Sequence, residues 1–282
     1  MRRGFTLTEA LMAILILGVG LLSLMALYPL AVLHINEALR NNRVAQAVQN
    51  ARATCEMFRS QIQGPTTASS FYWYTNSPGF VPTRYVDSSG TLWDLGQPQS
   101  GLGPAYILDV EGPYDKLTGP TYPSPVLTGK RAGTVDPPRY AWTIVVRPVL
   151  DIDPATNTPR INPTTKLPLV RDDVFSATVV VFEDYDDGNQ DDKPTGPYQG
   201  VFTSGSTTVT NTNIPKVGLY LDLQYGLVHR VISINPTNGS NGSAELELPF
   251  QPPTPSLSPY TASLVHLGPR AVEAIHLGNV YR

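Results

Sequence analysis

The sequence predicts an α+β protein: one long N-terminal helix, its first half embedded in a membrane, packed on an antiparallel β-sheet with long Pro- and Gly-rich loops. Three observations carry that prediction. A mostly apolar run occupies positions 5–33. A stretch free of Pro and Gly, with apolar residues at helical spacing, continues to Gln63. Beyond Gly64-Pro65 the prolines accumulate, and short β-branched runs replace the helical period. The chain holds 27 prolines in 282 residues, about twice the usual share. Nearly all follow the predicted helix, which rules out a long helical bundle there.

Composition narrows the function. Net charge is −3 with 20 Lys+Arg and no basic stripe, so nucleic acid is not expected as a partner. A single cysteine excludes an intrachain disulfide and a multi-Cys zinc site. Four scattered histidines leave little for a His-based metal centre. No Gly-x-Ser-x-Gly elbow, P-loop or HExxH occurs. No enzymatic activity and no cofactor are expected.

The N-terminus reads MRRGFTLTEALMAILILGVGLLSLMALYPLAVL. From Phe5 onward it is long enough for the ~20 residues that cross a bilayer as a helix. Arg2 and Arg3 precede the run, so the N-terminus should remain cytoplasmic, with everything after about Ala38 on the far side. A cleavable secretory signal fits less well, because the apolar run is too long and lacks a good Ala-x-Ala site. A twin-arginine signal has the right spelling at Arg2-Arg3-Gly4-Phe5 but too short a basic region. A plain anchor explains everything except Gly4 and Glu9. A carboxylate near the start of a membrane helix costs about 2.5–3.5 kcal/mol on insertion scales, and such a residue calls for a partner. Cleavage after Gly4 would give Phe5 a new α-amino group, one helical turn from Glu9. The carboxylate also sits where the helix dipole favours negative charge. An amine on one subunit could then pair with Glu9 on another, turning a burial cost into a drive toward assembly.

Gly4-Phe5-Thr6-Leu7-Thr8-Glu9-Ala10-Leu11 resembles the class III signal of type IV pilins and type II secretion pseudopilins. The segment Gly18 to Leu24 is most similar to V-type minor pilins and I-type pseudopilins. The resemblance covers roughly the first 60 residues. It implies that a prepilin peptidase cuts between Gly4 and Phe5 and methylates the Phe5 amine. It also implies the pilin-like lollipop: residues 1–4 as leader, 5–63 as helix (about 5–33 transmembrane) and 64–282 as a β-rich extracytoplasmic domain. The proline in the span departs from the family pattern, since Pro29 falls a turn later than the usual position.

Past the membrane, Val44, Val48, Ala51, Cys55, Phe58 and Ile62 recur at four- and three-residue spacing and form one apolar stripe. Asn42, Gln46, Gln49, Asn50, Arg52, Glu56 and Arg59 lie opposite, so the stripe should dock on a sheet. Cys55 reads as a small buried hydrophobe. Residues 66–139 read as irregular, with one or two short strands such as Ala105–Leu108. Clearer strands follow at Tyr140–Val149, Val174–Phe182, Gly218–Gln224, Leu227–Ile234 and Ala244–Leu248, with a turn at Tyr225-Gly226. Ser263–Leu267 and Ala271–Val280 complete the set.

The run Glu183 to Asp192 is the main candidate site in the body. Asp184, Asp186, Asp187 and Asp191 supply the oxygens calcium prefers, yet the spacing fails an EF-hand, and the run reads as a solvated turn with calcium as its alternative. Asp151, Asp153 and Asn157 read as a proline-punctuated turn. Asn238-Gly239-Ser240 and Asn241-Gly242-Ser243 read as flexible turns, and His229, His266 and His276 as structural. Phe71-Tyr72-Trp73-Tyr74 reads as a satellite hydrophobic cluster under the loops, or else as a stacking surface for sugars or a partner.

The resemblance implies a minor pilin-like structural subunit of the inner membrane. Its body would be periplasmic or carried in an extracellular filament. Its expected partners are the prepilin peptidase, other pilins or pseudopilins, the inner-membrane assembly platform and membrane lipid. The alternative is a membrane-anchored extracytoplasmic module that binds glycan or protein.

Overall fold

The computed structural model describes residues 7–57, 59, 71–75, 82–95, 106–107, 140–156, 158–186, 188–235, 242–252 and 259–281. Helix α1 runs unbroken over Leu7–Met57, 51 residues, or about 76 Å at 1.5 Å per residue. Pro29 lies inside it. Its ring removes one backbone donor, and the helix continues on both sides nonetheless. The predicted end at Gln63 lies outside the described residues. The chain forms two compact units, Met1–Gln46 and Ala47–Arg282, and α1 contributes to both.

In the second unit the last turns of α1 bury Ala47, Val48, Ala51, Thr54 and Cys55, while Gln49, Arg52 and Glu56 are exposed. Val48, Ala51 and Cys55 are the predicted stripe; Phe58 and Ile62 lie outside the described residues. Thr54 escapes an unpaired hydroxyl by donating to the Asn50 carbonyl at 2.9 Å. Cys55 is a free, fully buried thiol, and burial, helped by the Glu56 charge, pushes its pKa up to about 11. A thiol so protonated is a poor nucleophile.

The body is built on strands β1 (Tyr72–Thr75), β2 (Arg84–Val86), β3 (Leu92–Asp94), β4 (Tyr106–Ile107), β5 (Tyr140–Leu150), β6 (Ile152–Asp153), β7 (Thr158–Pro159), β8 (Val170–Glu183), β9 (Thr195–Phe202), β10 (Thr208–Thr212), β11 (Gly218–Asp222), β12 (Val228–Asn235), β13 (Gly242–Leu246), β14 (Tyr260–His266) and β15 (Ala271–Tyr281). They form two main sheets where a single antiparallel sheet was expected. The first has the order β15-β8-β5-β1-β4 and is antiparallel apart from the parallel pair β1–β4. The second runs β10-β13-β12-β11-β14-β9-β2-β3, and pairing of Thr210 with Val201 joins β10 back to β9. The six strands from β10 to β9 in that order close into a small antiparallel barrel, which removes the open edges a flat sheet would leave.

Alternation of side chains along each strand creates two cores. Tyr220 of β11 and Tyr260, Ala262 and Leu264 of β14 fill the barrel with Phe202, Val209, Val231 and Phe250. The neighbours Leu219, Leu221 and Val265 pack with Val145 and Val180 of the first sheet, and with Phe71, Trp73, Tyr85 and Phe182. The other face of the first sheet buries Trp142, Ile144, Val146, Val179 and Val181. Strands β5 and β8 are therefore covered on both sides, and their near-continuous apolar spelling follows. Leu277, Val280 and Tyr281 of β15 line a cavity of about 300 Å³ together with Arg52, Cys55 and Glu56 of α1, which places the helix end beside this sheet.

The aromatic run reads differently in place. Phe71 and Trp73 are fully buried in the core between the sheets, with Trp73 Nε1 donating to the Pro82 carbonyl at 3.0 Å, and Tyr74, paired with Ile144, is nearly as buried. The run is neither a satellite cluster nor an open stacking platform. The predicted turn at Tyr225-Gly226 is present: Gly226 has φ +63° and its N–H bonds the Asp222 carbonyl at 2.9 Å. A Cβ there would also strike the Phe71 ring, so this position requires glycine.

Candidate functional site: the N-terminal helix and its signal

The described residues hold one helix long and apolar enough to cross a membrane, α1. Every residue from Leu7 to Arg43 is exposed, including Leu11, Ile14, Leu15, Ile16, Leu17 and Leu22. Polar atoms are few in the span. Ser23 satisfies its hydroxyl within the helix by donating to the Val19 carbonyl at 2.9 Å, which makes it cheap to place in hydrocarbon. Gly18 and Gly20 carry no side chain, and the space beside them is open. Charged side chains resume at Glu37, Arg40 and Arg43.

Glu9 stands in the first turn of the described helix. Its carboxylate is the lone acidic group between Leu7 and Ile35. A carboxylic acid at the head of a mostly apolar helix is costly to place in hydrocarbon in isolation. Gly4 and Phe5, the predicted processing residues, lie outside the described residues.

The acidic run is held as a turn between β8 and β9. Asp186 Oδ1 accepts the Gly188 N–H at 2.9 Å, and Asn189 caps the short 3-10 turn Gln190–Asp192 through the Asp191 N–H at 3.1 Å. Asp192 is buried and paired with Arg270 at 2.9 Å. Asp184 takes a left-handed backbone, φ +51°. Asp187 lies outside the described residues. Among the described residues no group of three or more His, Cys, Asp or Glu side chains converges as a metal site. Asp151 pairs with Arg160 at 3.4 Å and Asp153 accepts the Ala155 N–H at 2.9 Å, across the two-stranded turn β6–β7; Asn157 and both Asn-Gly-Ser sequences lie outside the described residues.

Two of the three body histidines sit in aromatic surroundings. His229 packs on Phe202 and Phe250 at 5.0 and 5.7 Å, and His266 on Tyr220 at 5.0 Å. His276 meets the Thr178 hydroxyl at 3.3 Å. No spacing in the sequence marked the polar group these strands assemble around Arg147, because its members come from β5, β8, β12 and β15.

Residues 1–25 match the family model of the prokaryotic N-terminal methylation motif, the class III signal typical of type IV pilins and pseudopilins. The motif, set at the head of an exposed apolar helix, supports a pilin- or pseudopilin-like subunit in general, anchored in a membrane by that helix. Comparison with curated proteins and with solved structures finds no match.

Proposed function

We propose that the chain is a minor pilin-like structural subunit of a type IV pilus or a type II secretion pseudopilus. In this reading a prepilin peptidase removes residues 1–4 and methylates the Phe5 amine. The helix is then drawn from the inner membrane into a filament of other pilins or pseudopilins by the assembly platform. The N-terminus begins in the cytoplasm and the β-rich body lies in the periplasm or on the filament surface. The supporting observation is the methylation motif at residues 1–25, which runs into α1, a helix whose first half is mostly apolar and which carries Glu9 in its first turn.

The role of each residue follows from the medium. Gly4 gives the peptidase close access to the backbone. Phe5 supplies the new amine, and Glu9 accepts it from a neighbouring helix, where no water can substitute and the low dielectric multiplies the attraction several-fold. Glu9→Leu removes the insertion cost and the partner together. The substituted protein should insert and be processed normally, yet fail to cross-link in cells with its neighbouring subunits. Cross-linking equal to wild type would exclude the amine–carboxylate pairing.

A further inference from the structure

A second cavity, of about 540 Å³, opens between the first sheet and the barrel. Its polar side is formed by Arg147 of β5, Thr178 of β8, His276 of β15 and His229 of β12. Its apolar side includes Leu227, Val228, Leu248, Pro249 and Pro252. The volume lies within the range typical of small-molecule sites, about 300–1,000 Å³.

The polar side is incompletely satisfied. Arg147 donates from Nη2 to the Ser176 hydroxyl at 3.0 Å, but its Nε is shut off from solvent without a partner. His229 Nε2 is likewise buried and unpartnered. Two such atoms on residues that border one cavity are unusual, since a buried donor left unpaired costs about 1–3 kcal/mol. Burial lowers the Arg147 pKa to about 10, so the guanidinium is still charged at neutral pH. Burial, with the Arg147 charge, lowers His229 to about 4, so its ring is neutral there. Asp222 supplies a counter-charge at a distance, but its oxygens are taken by the Tyr260 hydroxyl and the Gln224 N–H.

We propose that this cavity binds a small monocarboxylate with an apolar tail, its carboxylate on the Arg147 guanidinium and its tail against Leu227, Val228 and Leu248. A planar carboxylate matches the guanidinium fork with two parallel hydrogen bonds, and one Nη2 hydrogen remains for it beside the bond to Ser176. The charge count selects a monoanion. Arg230, at the rim, is already bound to Glu247 at 3.2 Å and to Glu273 at 2.9 Å, so a dianion would meet one free cation and the nearby Glu247 carboxylate. The leucine and proline wall favours an alkyl or aryl body over a second polar group.

Hexanoate is the probe, titrated calorimetrically into the full chain in lipid nanodiscs, with hexanamide and inorganic phosphate as comparisons. Saturable binding of hexanoate is expected, with hexanamide and phosphate each at least about tenfold weaker, the loss of one charge-assisted pair. Arg147→Met, checked for folding by its melting transition, should lose at least about tenfold toward hexanoate. The proposal fails if hexanoate gives no saturable signal up to about 10 mM. It also fails if the amide or phosphate binds equally well, or if folded Arg147→Met binds like wild type. The amide comparison uses wild-type protein alone, so it decides the matter even if the Arg147 variant does not fold.

Discussion

Inside the closed barrel, the Tyr260 hydroxyl lies 2.9 and 2.8 Å from the two carboxylate oxygens of Asp222 and shares its hydrogen between them. Asp222 is fully buried, and it also accepts the Gln224 N–H at 2.8 Å. Burial outweighs these bonds and pushes its pKa up to about 6, from an ordinary 3.8. His229, within the same pair of strands, is pushed the other way, from 6.5 to about 4.

The two shifts predict pH dependences of opposite sign. A raised pKa means the native state holds the Asp222 proton more tightly than the unfolded chain. That stabilisation is present below about pH 4 and lost as pH rises through 6. A lowered pKa at His229 gives stability present above about pH 6.5 and lost as pH falls toward 4. Melting temperatures are therefore compared between each variant and wild type from pH 4 to 7. The Asp222→Asn difference (variant minus wild type) should rise with pH, while that of His229→Phe should fall. The Arg147–Asp222 attraction exists only while Asp222 is ionised and is already contained in the Asp222 shift. Two differences of the same sign would contradict the assignment.

Gly268 and Arg270 fasten the acidic turn to β15. Gly268 has φ +90°, and a Cβ there would collide with the Asp192 carbonyl. Gly268→Ala should cost about 2 kcal/mol or more, a fall of at least about 4 °C in a body this size. Arg270→Met strands the buried Asp192 carboxylate and should cost about 1–3 kcal/mol. Unchanged thermal melts would show that the turn is not part of the cooperative body.

Calcium should leave the melting temperature unchanged. Asp186 is committed to the Gly188 N–H and Asp192 to Arg270, so little of the acidic run is free to converge on an ion. A ligand at a hundredfold excess over its dissociation constant stabilises by about 2.7 kcal/mol. A shift of that size at millimolar calcium, reversed by EDTA, would instead establish a site using Asp184, Asp186, Asp187 and Asp191.

The parts of the fold legible in sequence were those with a strong local period. Val48, Ala51 and Cys55 announced their buried face, and Tyr140–Val149 and Val174–Phe182 announced central strands by β-branched runs. Barrel closure was hidden because it depends on β9 and β10. In β9, Gly196, Pro197 and Gly200 interrupt the alternation, and Gly200 is needed because a Cβ would strike Val209 of β10. β10 (TVTNT) holds a single apolar residue, Val209, so no alternating hydrophobic face marks it. The run Phe71–Tyr74 looked peripheral because its partner β5 lies some 70 residues on, as in the Trp73–Val145 pairing. At the N-terminus the opposite held: the methylation motif matched over residues 1–25 is a local pattern, and no tertiary contact was needed to see it.

Intact-mass spectrometry of the chain co-expressed with a prepilin peptidase tests the central claim most directly. The account predicts loss of residues 1–4 and a new N-terminus at Phe5 carrying one added methyl group, with Gly4→Val remaining uncut in the membrane. Cleavage instead near Ala26 or Ala31, or an intact N-terminus in the wild-type chain, would contradict it.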